Sequence, residues 1–246
     1  TRLDTIQFFI KLCSKMIFQQ LFDTQSSTYT YIISTGKGRE ALIIDPVIEH
    51  TTEYLKILDN LELKLVKVID THIHADHISG MAELKKITNC QTLMGENSKS
   101  EVVSVRVKDN EKIMIEEIEI KAIYTPGHTD DSYCFIMQDR VFTGDTLLIN
   151  GTGRTDFQNG SSYDAYSSLF DRLLKLPEEI IVYPAHDYKG RKFSSIGEEK
   201  KNNPRLQVNS AEEYAEIMNS LNLANPKMMD VAVPANLKGV TLKEIK

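Results

Sequence analysis

Apolar and polar positions along this chain follow two periods in alternation. Short, largely apolar runs at Tyr29–Ser34, Ala41–Asp45, Leu65–Asp70, Tyr133–Met137, Val141–Thr143 and Ile180–Tyr183 read as strands, with Gly36 and Gly38 turning between the first two. Ile118, Ile120, Ala122 and Tyr124 alternate with polar neighbours and predict a half-buried strand. Between these runs the period lengthens. Leu55, Leu58 and Leu61 follow a cap at Thr51 or Thr52, and Met81 and Leu84 face inward on a short helix. Tyr166, Leu169, Phe170, Leu173 and Leu174 lie on one face of a helix that starts after Ser162 and stops before Pro177. Ser210 and Glu213 form a capping box for a late helix with Tyr214, Ile217, Met218 and Leu221 inward. No repeat or linker divides the chain, so the pattern predicts one α/β domain with two sheets and helices outside.

Composition narrows the class. The 246 residues are 41% apolar and 26% charged, which is ordinary for a soluble domain. A chain of this length buries roughly three quarters of its unfolded surface and needs no staples. No stretch approaches the roughly 18 apolar residues of a membrane span. The net charge is −6 and no basic stripe stands out, so neither a membrane nor a nucleic acid is expected as partner. Cys13, Cys90 and Cys134 are far apart and odd in number, which points to a reducing compartment. Residues 1–15 differ from the rest: Arg2, Lys11 and Lys15 face one acid, Asp4, and Ile6, Phe9, Cys13 and Ile17 follow a roughly helical spacing. They read equally as the remnant of an organelle-targeting peptide or as a leftover segment. Their longest apolar run, Phe8 to Ile10, is too short for a secretory signal. The chain begins at Thr1, so its natural N-terminus is expected to be missing, with Met16 a candidate internal start.

The histidines carry the chemistry. Directly after the Leu65–Asp70 run comes Thr71-His72-Ile73-His74-Ala75-Asp76-His77, four metal-competent side chains within six positions. His72 and His74 share a side if the chain there is still extended, and Asp76 and His77 fall at the turn that follows. Neutral imidazoles with a carboxylate suit zinc or iron. His128 follows Thr125-Pro126-Gly127, Asp145 follows Gly144, and His186 follows Tyr183-Pro184-Ala185, each at the end of an expected strand. Loops at strand ends are the usual place for chemistry. His50 is read as a solvated residue near a helix start, Cys134 as core, and Glu198–Lys201 as a solvated helix face.

This order, His-x-His-x-Asp-His, Gly-His, Gly-Asp and a late His, resembles the metallo-β-lactamase superfamily over Leu42 to His186. The resemblance implies an αββα sandwich, two mixed sheets with helices on both outer faces, over residues 16–246. In the superfamily's hydrolases the positions of His72, His74 and His128 hold one metal. Asp76, His77 and His186 hold a second, and Asp145 bridges. Finer features resemble the persulfide dioxygenase branch: Gly153-Arg154-Thr155-Asp156-Phe157-Gln158, Tyr183 to Tyr188, Asn203-Pro204-Arg205-Leu206 and Val233-Pro234-Ala235-Asn236. Thr152 departs from it where many relatives carry Cys. That branch implies one Fe(II) per chain on His72, His128 and Asp145, with glutathione persulfide and O₂ as substrates. It also implies a mitochondrial location, a cytoplasmic one being the alternative. His74, Asp76, His77 and His186 would then surround the site as partners of the iron ligands or as holders of a second metal.

Arg154 suits a carboxylate of a glutathione-like anion or an ion pair with Asp156. Tyr188 and Arg205 are further candidate substrate contacts, each with packing or ion pairing as its alternative. Spacing alone does not choose between one iron and two Zn(II). The rival enzyme is therefore a glyoxalase II-type hydroxyacylglutathione hydrolase. Against it stand Ala-His-Asp-Tyr around His186, where that family usually has Gly-His-Glu-Tyr, and the mere 60 residues that follow His186. A non-catalytic metal-binding scaffold is the reading from another class, opposed by the intact ligand set. A homodimer is left open.

Overall fold

The structure, a computed structural model, describes residues 16–226 and 228–245. The reading of residues 1–15 lies outside the described residues. Two six-stranded mixed sheets face each other. In the first, β1 (Ile17–Asp23), β2 (Thr28–Ser34), β3 (Glu40–Ile44), β4 (Lys64–Ile69), β5 (Gln91–Gly95) and β6 (Val105–Val107) lie in sequence order. The first two pairings are antiparallel and the other three parallel. In the second, β7 (Lys112–Ile115), β8 (Ile118–Tyr124), β9 (Tyr133–Ile136), β10 (Arg140–Gly144), β11 (Ile181–Pro184) and β12 (Ser194–Ser195) do the same. Only β10 and β11 pair in parallel.

Helices α1 (Thr51–Asn60) and α2 (Met81–Thr88) join strands of the first sheet. Helices α3 (Ser162–Ser167), α4 (Ile196–Asn202), α5 (Ala211–Asn219) and α6 (Met229–Lys238) follow β10. The central strands are apolar on both faces because both are covered. On β2, Tyr29, Tyr31 and Ile33 enter the core between the sheets, while Ile32 packs outward with Tyr54 and Leu58 of α1. On the second sheet, Ile118, Ile120 and Ala122 face inward, and Ile123, Cys134 and Val182 pack outward against Leu169 and Tyr214. This is the αββα sandwich.

Several local expectations change. α1 has no side-chain cap: a 3₁₀ turn over Ile48–His50 runs straight into it, and Thr51 Oγ1 donates instead to the Ile48 carbonyl. α3 begins as expected, with Ser161 accepting from the Asp164 N–H, but widens to a π-helical stretch over Ser168–Arg172 and ends in a 3₁₀ turn over Leu173–Lys175. In α5, Ser210 accepts from the Glu213 N–H, while Glu213 bonds the Asn209 N–H rather than closing the box on Ser210. Glu199 does not lie on a solvated face. It is fully buried in α4, accepting from the Asn150 N–H and the Asn203 amide. Strands β1, β5, β6, β7 and β12 and helix α6 were not anticipated. In β1 the pair Gln19-Gln20 breaks the apolar pattern, and α6 carries Pro234 in its interior.

Candidate metal centre

Every functional side chain reaches one end of the sandwich from a loop that follows a strand. His72, His74, Asp76 and His77 leave β4, His128 leaves β8, Asp145 leaves β10 and His186 leaves β11. The turns are built for close approach. Gly144 has φ +50, and a side chain there would meet the Thr71 hydroxyl at 2.7 Å. A Cβ on Gly153 would lie 2.2 Å from the Asp145 carbonyl and 2.9 Å from the His128 ring. Glycine is thus the residue that lets these loops converge.

The metal-competent atoms fall into overlapping groups. One ligand atom each from His72, His128 and Asp145 lie within 4.8 Å of one another, as do atoms of His74, Asp76 and His186. His128 Nε2 is 3.5 Å from Asp145 Oδ2. His186 Nε2 is 3.5 Å from Asp76 Oδ2 and 3.6 Å from Asp145 Oδ1. A third group, Asp45, Asp70 and His74, lies deeper and is fully buried.

Hydrogen bonds to the outer ring nitrogens set the tautomers. Thr71 Oγ1 gives its one proton to Asp45 Oδ2 at 3.0 Å, so it accepts from His72 Nδ1 at 2.9 Å. The Arg154 carbonyl accepts from His128 Nδ1 at 2.7 Å, and the Ser27 carbonyl from His186 Nδ1 at 3.2 Å. Each of these rings therefore turns a bare Nε2 inward. His74 is reversed: Nε2 donates to Asp45 Oδ1 at 3.1 Å, leaving Nδ1 without a partner. His77 Nε2 and Asp145 Oδ1 are also buried and unpartnered. Orphaned polar atoms on candidate ligands fit a site built for a cation, although His77 joins none of the three groups.

The electrostatics differ from ring to ring. Burial, helped by the neighbouring His74 and His128 rings, pulls His72 far below the usual imidazole value, which keeps it neutral and ready to ligate. Burial likewise lowers His77 against the pull of Asp76. For His74 burial is outweighed by Asp45, which holds it up to about 10. His186 is raised because Asp145 and Asp76 overcome burial. Asp76 is kept well below the carboxylate range because His186 and His77 overcome burial.

The site opens into a cleft of about 810 Å³, within the range of small-molecule pockets. Arg154, Tyr188 and Arg205 all line it. Arg154 is engaged: Nε and Nη2 pair with both oxygens of Asp156 at 2.7 and 2.8 Å, and Nη1 donates to the Ala224 carbonyl at 2.7 Å. Arg205 donates to the Thr152 carbonyl and meets no carboxylate among the described residues. Tyr188 is 72% exposed, with its ring nearly parallel to His186 at 6.1 Å between centroids.

Sequence reasoning missed several contributors. Asp45 joins the ends of β3 and β4 by accepting from the Thr71 N–H at 2.7 Å and from His74; only its place at a strand end hinted at this. Asn236 and Gln158 stood in motifs that carried the resemblance, but without a role. Asn236 donates to the carbonyls of His74 and His77 and accepts from the Ser79 N–H. Gln158 donates to the Ile73 carbonyl. His50 is not a solvated bystander: it is half-buried in the cleft wall, 3.0 Å from Asp23 and 3.3 Å from Glu53.

Comparison with known proteins places these observations. A family model described as the metallo-beta-lactamase superfamily matches residues 23–103 and 95–186. The human protein named persulfide dioxygenase ETHE1, mitochondrial, is 38% identical over 226 residues, covering 91% of this chain and 88% of its own. The crystal structure of ETHE1 from Myxococcus xanthus superposes with a TM-score of 0.87 at 47% identity, covering 89% of this chain and 97% of that one. A probable hydroxyacylglutathione hydrolase of Schizosaccharomyces pombe is 32% identical, over 82% of this chain and 90% of its own.

Proposed function

The chain belongs to the metallo-beta-lactamase superfamily, in its persulfide dioxygenase branch, and from that premise we propose that it oxidises glutathione persulfide with O₂ on a single Fe(II). The observation that carries this reading is the convergence of two imidazoles and one carboxylate, His72, His128 and Asp145, with ligand atoms within 4.8 Å. Two histidines and one carboxylate are the donor set of non-haem iron oxygenases. The orphaned Asp145 Oδ1 and the fixed tautomers of both histidines fit such an ion. When bound, the iron would supply a place for O₂ and the persulfide sulfur to meet.

The chain's own residues do the rest. Thr71 and the Arg154 carbonyl hold the two imidazoles in their ligating orientation. Arg205, a cation in the cleft wall with no carboxylate of its own among the described residues, anchors a carboxylate of the tripeptide. Tyr188, which lines the cleft with its ring nearly parallel to His186, offers a face for the substrate to pack on. Arg154, already paired with Asp156, acts on the substrate by holding the Ala224 wall in place. The mitochondrial location in the human relative's name extends to this chain within the same proposal.

One observation favours a second reading. His74, Asp76 and His186 also cluster within 4.8 Å, which suits a second metal and a zinc thioesterase acting on acylglutathiones. The test is oxygen uptake by anaerobically Fe(II)-loaded protein given glutathione persulfide. Rapid uptake with sulfite formation is the expected result. No uptake from folded, iron-replete protein, together with hydrolysis of an acylglutathione, would overturn the dioxygenase reading. Asp145→Ala should lose iron and activity together; stoichiometric iron in that variant would refute the triad.

A further inference from the structure

Thr28, at the start of β2, is completely buried, and its hydroxyl is a hub. Oγ1 lies 3.1 Å from Asp76 Oδ2 and 3.4 Å from Nδ1 of both His77 and His186. On its other side it is 2.6 Å from Ser26 Oγ, which lies 2.6 Å from Asp23 Oδ2. Asp23 Oδ1 is 3.0 Å from His50 Nε2. An unbroken polar chain thus runs from the floor of the cleft to a half-exposed imidazole at its rim.

The proton count of this chain is informative. The contacts Asp23–Ser26, Ser26–Thr28 and Thr28–Asp76 are three, but only two hydroxyl hydrogens serve them, because each hydroxyl donates once. Ser26 and hydrogen bonds from His50 outweigh burial and hold Asp23 down to about 2, so it brings no proton of its own. The chain is one proton short. It can point both hydroxyls toward Asp76 or both toward Asp23, and passage of one proton switches it between the two.

Resting on the persulfide oxidation proposed above, we propose that Thr28, Ser26 and Asp23 form a proton path from the reaction site to His50. The reaction needs one. Oxidation of RSSH by O₂ breaks the S–S bond, takes four electrons from the outer sulfur into O₂, and adds the oxygen of one water: RSSH + O₂ + H₂O gives RSH, SO₃²⁻ and two H⁺. With substrate seated, the cleft mouth is filled and those protons need another way out. A proton accepted at Thr28 moves its own hydrogen to Ser26, and that of Ser26 to Asp23. His50 Nε2–H donates to Asp23 at rest; once the ring has shifted that hydrogen to Nδ1, which faces Glu53, the Asp23 carboxyl turns over and delivers the proton to the bare Nε2. His50 is held by carboxylates on two elements, Asp23 on β1 and Glu53 on α1, with Glu49 next to it in sequence and the Tyr54 ring at 6.3 Å. It accepts the proton in this acidic setting and releases it at the surface.

Two variants test the path in the Fe(II)-loaded protein. His50→Gln removes the terminal acceptor, which is outside the metal-ligand groups, and Thr28→Val removes the hub hydroxyl at nearly constant volume. Each should keep iron stoichiometry and KM, lower kcat about a hundredfold, the low end of what a lost proton-transfer group costs, and enlarge the solvent deuterium isotope effect on kcat. Imidazole in the buffer should rescue His50→Gln, and Thr28→Ser should retain wild-type rates. A hub that is merely structural would move stability but neither the isotope effect nor the rescue. Wild-type kcat and isotope effect in both variants would overturn the path. If the unsubstituted protein consumes no oxygen, the reaction reading fails by itself, and the path is judged on the metal-free protein. There, with Thr28→Val, Ser26 donates permanently to Asp23, which weakens the carboxylate's hold on His50, and the NMR titration midpoint of His50 should fall below that of the unsubstituted protein. An unmoved midpoint would refute the coupling.

Discussion

Asp23 shows what one side chain does at this site. Its carboxylate accepts from the Ser26 N–H at 2.7 Å and from the Ser26 hydroxyl, and pairs with His50, which together outweigh burial and lower it from 3.8 to about 2. A depressed carboxylate stabilises the fold above its ordinary value and loses that contribution as pH falls toward its folded value. Asp23→Asn should therefore lower the unfolding free energy of the metal-free protein by about 2 kcal/mol at pH 6. The difference from wild type should shrink between pH 4 and pH 2. Urea titrations at pH 6 and pH 3 check this, and an equal difference at both would show that the effect is packing rather than charge. Such a role was invisible in the sequence, where Asp23 is one acid among 35 acidic residues.

Among the elements, α6 has the least obvious purpose. It belongs to neither sheet, and its sequence, with Pro234 inside, does not announce a helix. Its function is carried by Asn236, whose amide satisfies three backbone groups of the histidine loop: the His74 and His77 carbonyls and the Ser79 N–H. These groups lie in a buried turn, and unmade bonds there are costly. Asn236→Ala should destabilise the protein by about 2–3 kcal/mol, the penalty for buried backbone groups left unpaired, and should weaken metal binding without removing any ligand. Thermal unfolding and metal titration of the variant read both effects. The motifs around Gln158, Asn203 and Arg205 act alike, each bonding a backbone carbonyl of a loop near the site.

On the scale of the whole molecule, the metal centre exists only while the two sheets stay in register with each other. Tyr31 crosses that interface. It stacks among Phe18, Phe142 and Tyr183 and donates its hydroxyl to the Pro184 carbonyl at 2.6 Å, two residues before His186. The Tyr29 N–H bonds the Ala185 carbonyl beside it. Tyr31→Phe keeps the ring and loses one buried hydrogen bond, so stability should fall by about 1–2 kcal/mol. Because the loss is at the seam, kcat should fall as well. Unchanged kcat in this variant would show that the position of His186 does not depend on the Tyr31 bond.

Local chemistry was legible in the chain. The strand runs, the histidine cluster at the end of β4 and the later His128, Asp145 and His186 all stand in the sequence, because period and residue type are local properties. The sandwich and the branch were legible as well, through the family resemblance carried by motifs spread along the chain. The convergence of β4, β8, β10 and β11 at one end needed the fold, since contacts between distant segments leave no periodic trace. The same holds for His50, read as solvated and found paired with Asp23 across 27 positions, and for Glu199, read as exposed and found buried on Asn150. A charged residue looks the same in a sequence whether water or protein surrounds it, and only tertiary packing decides which.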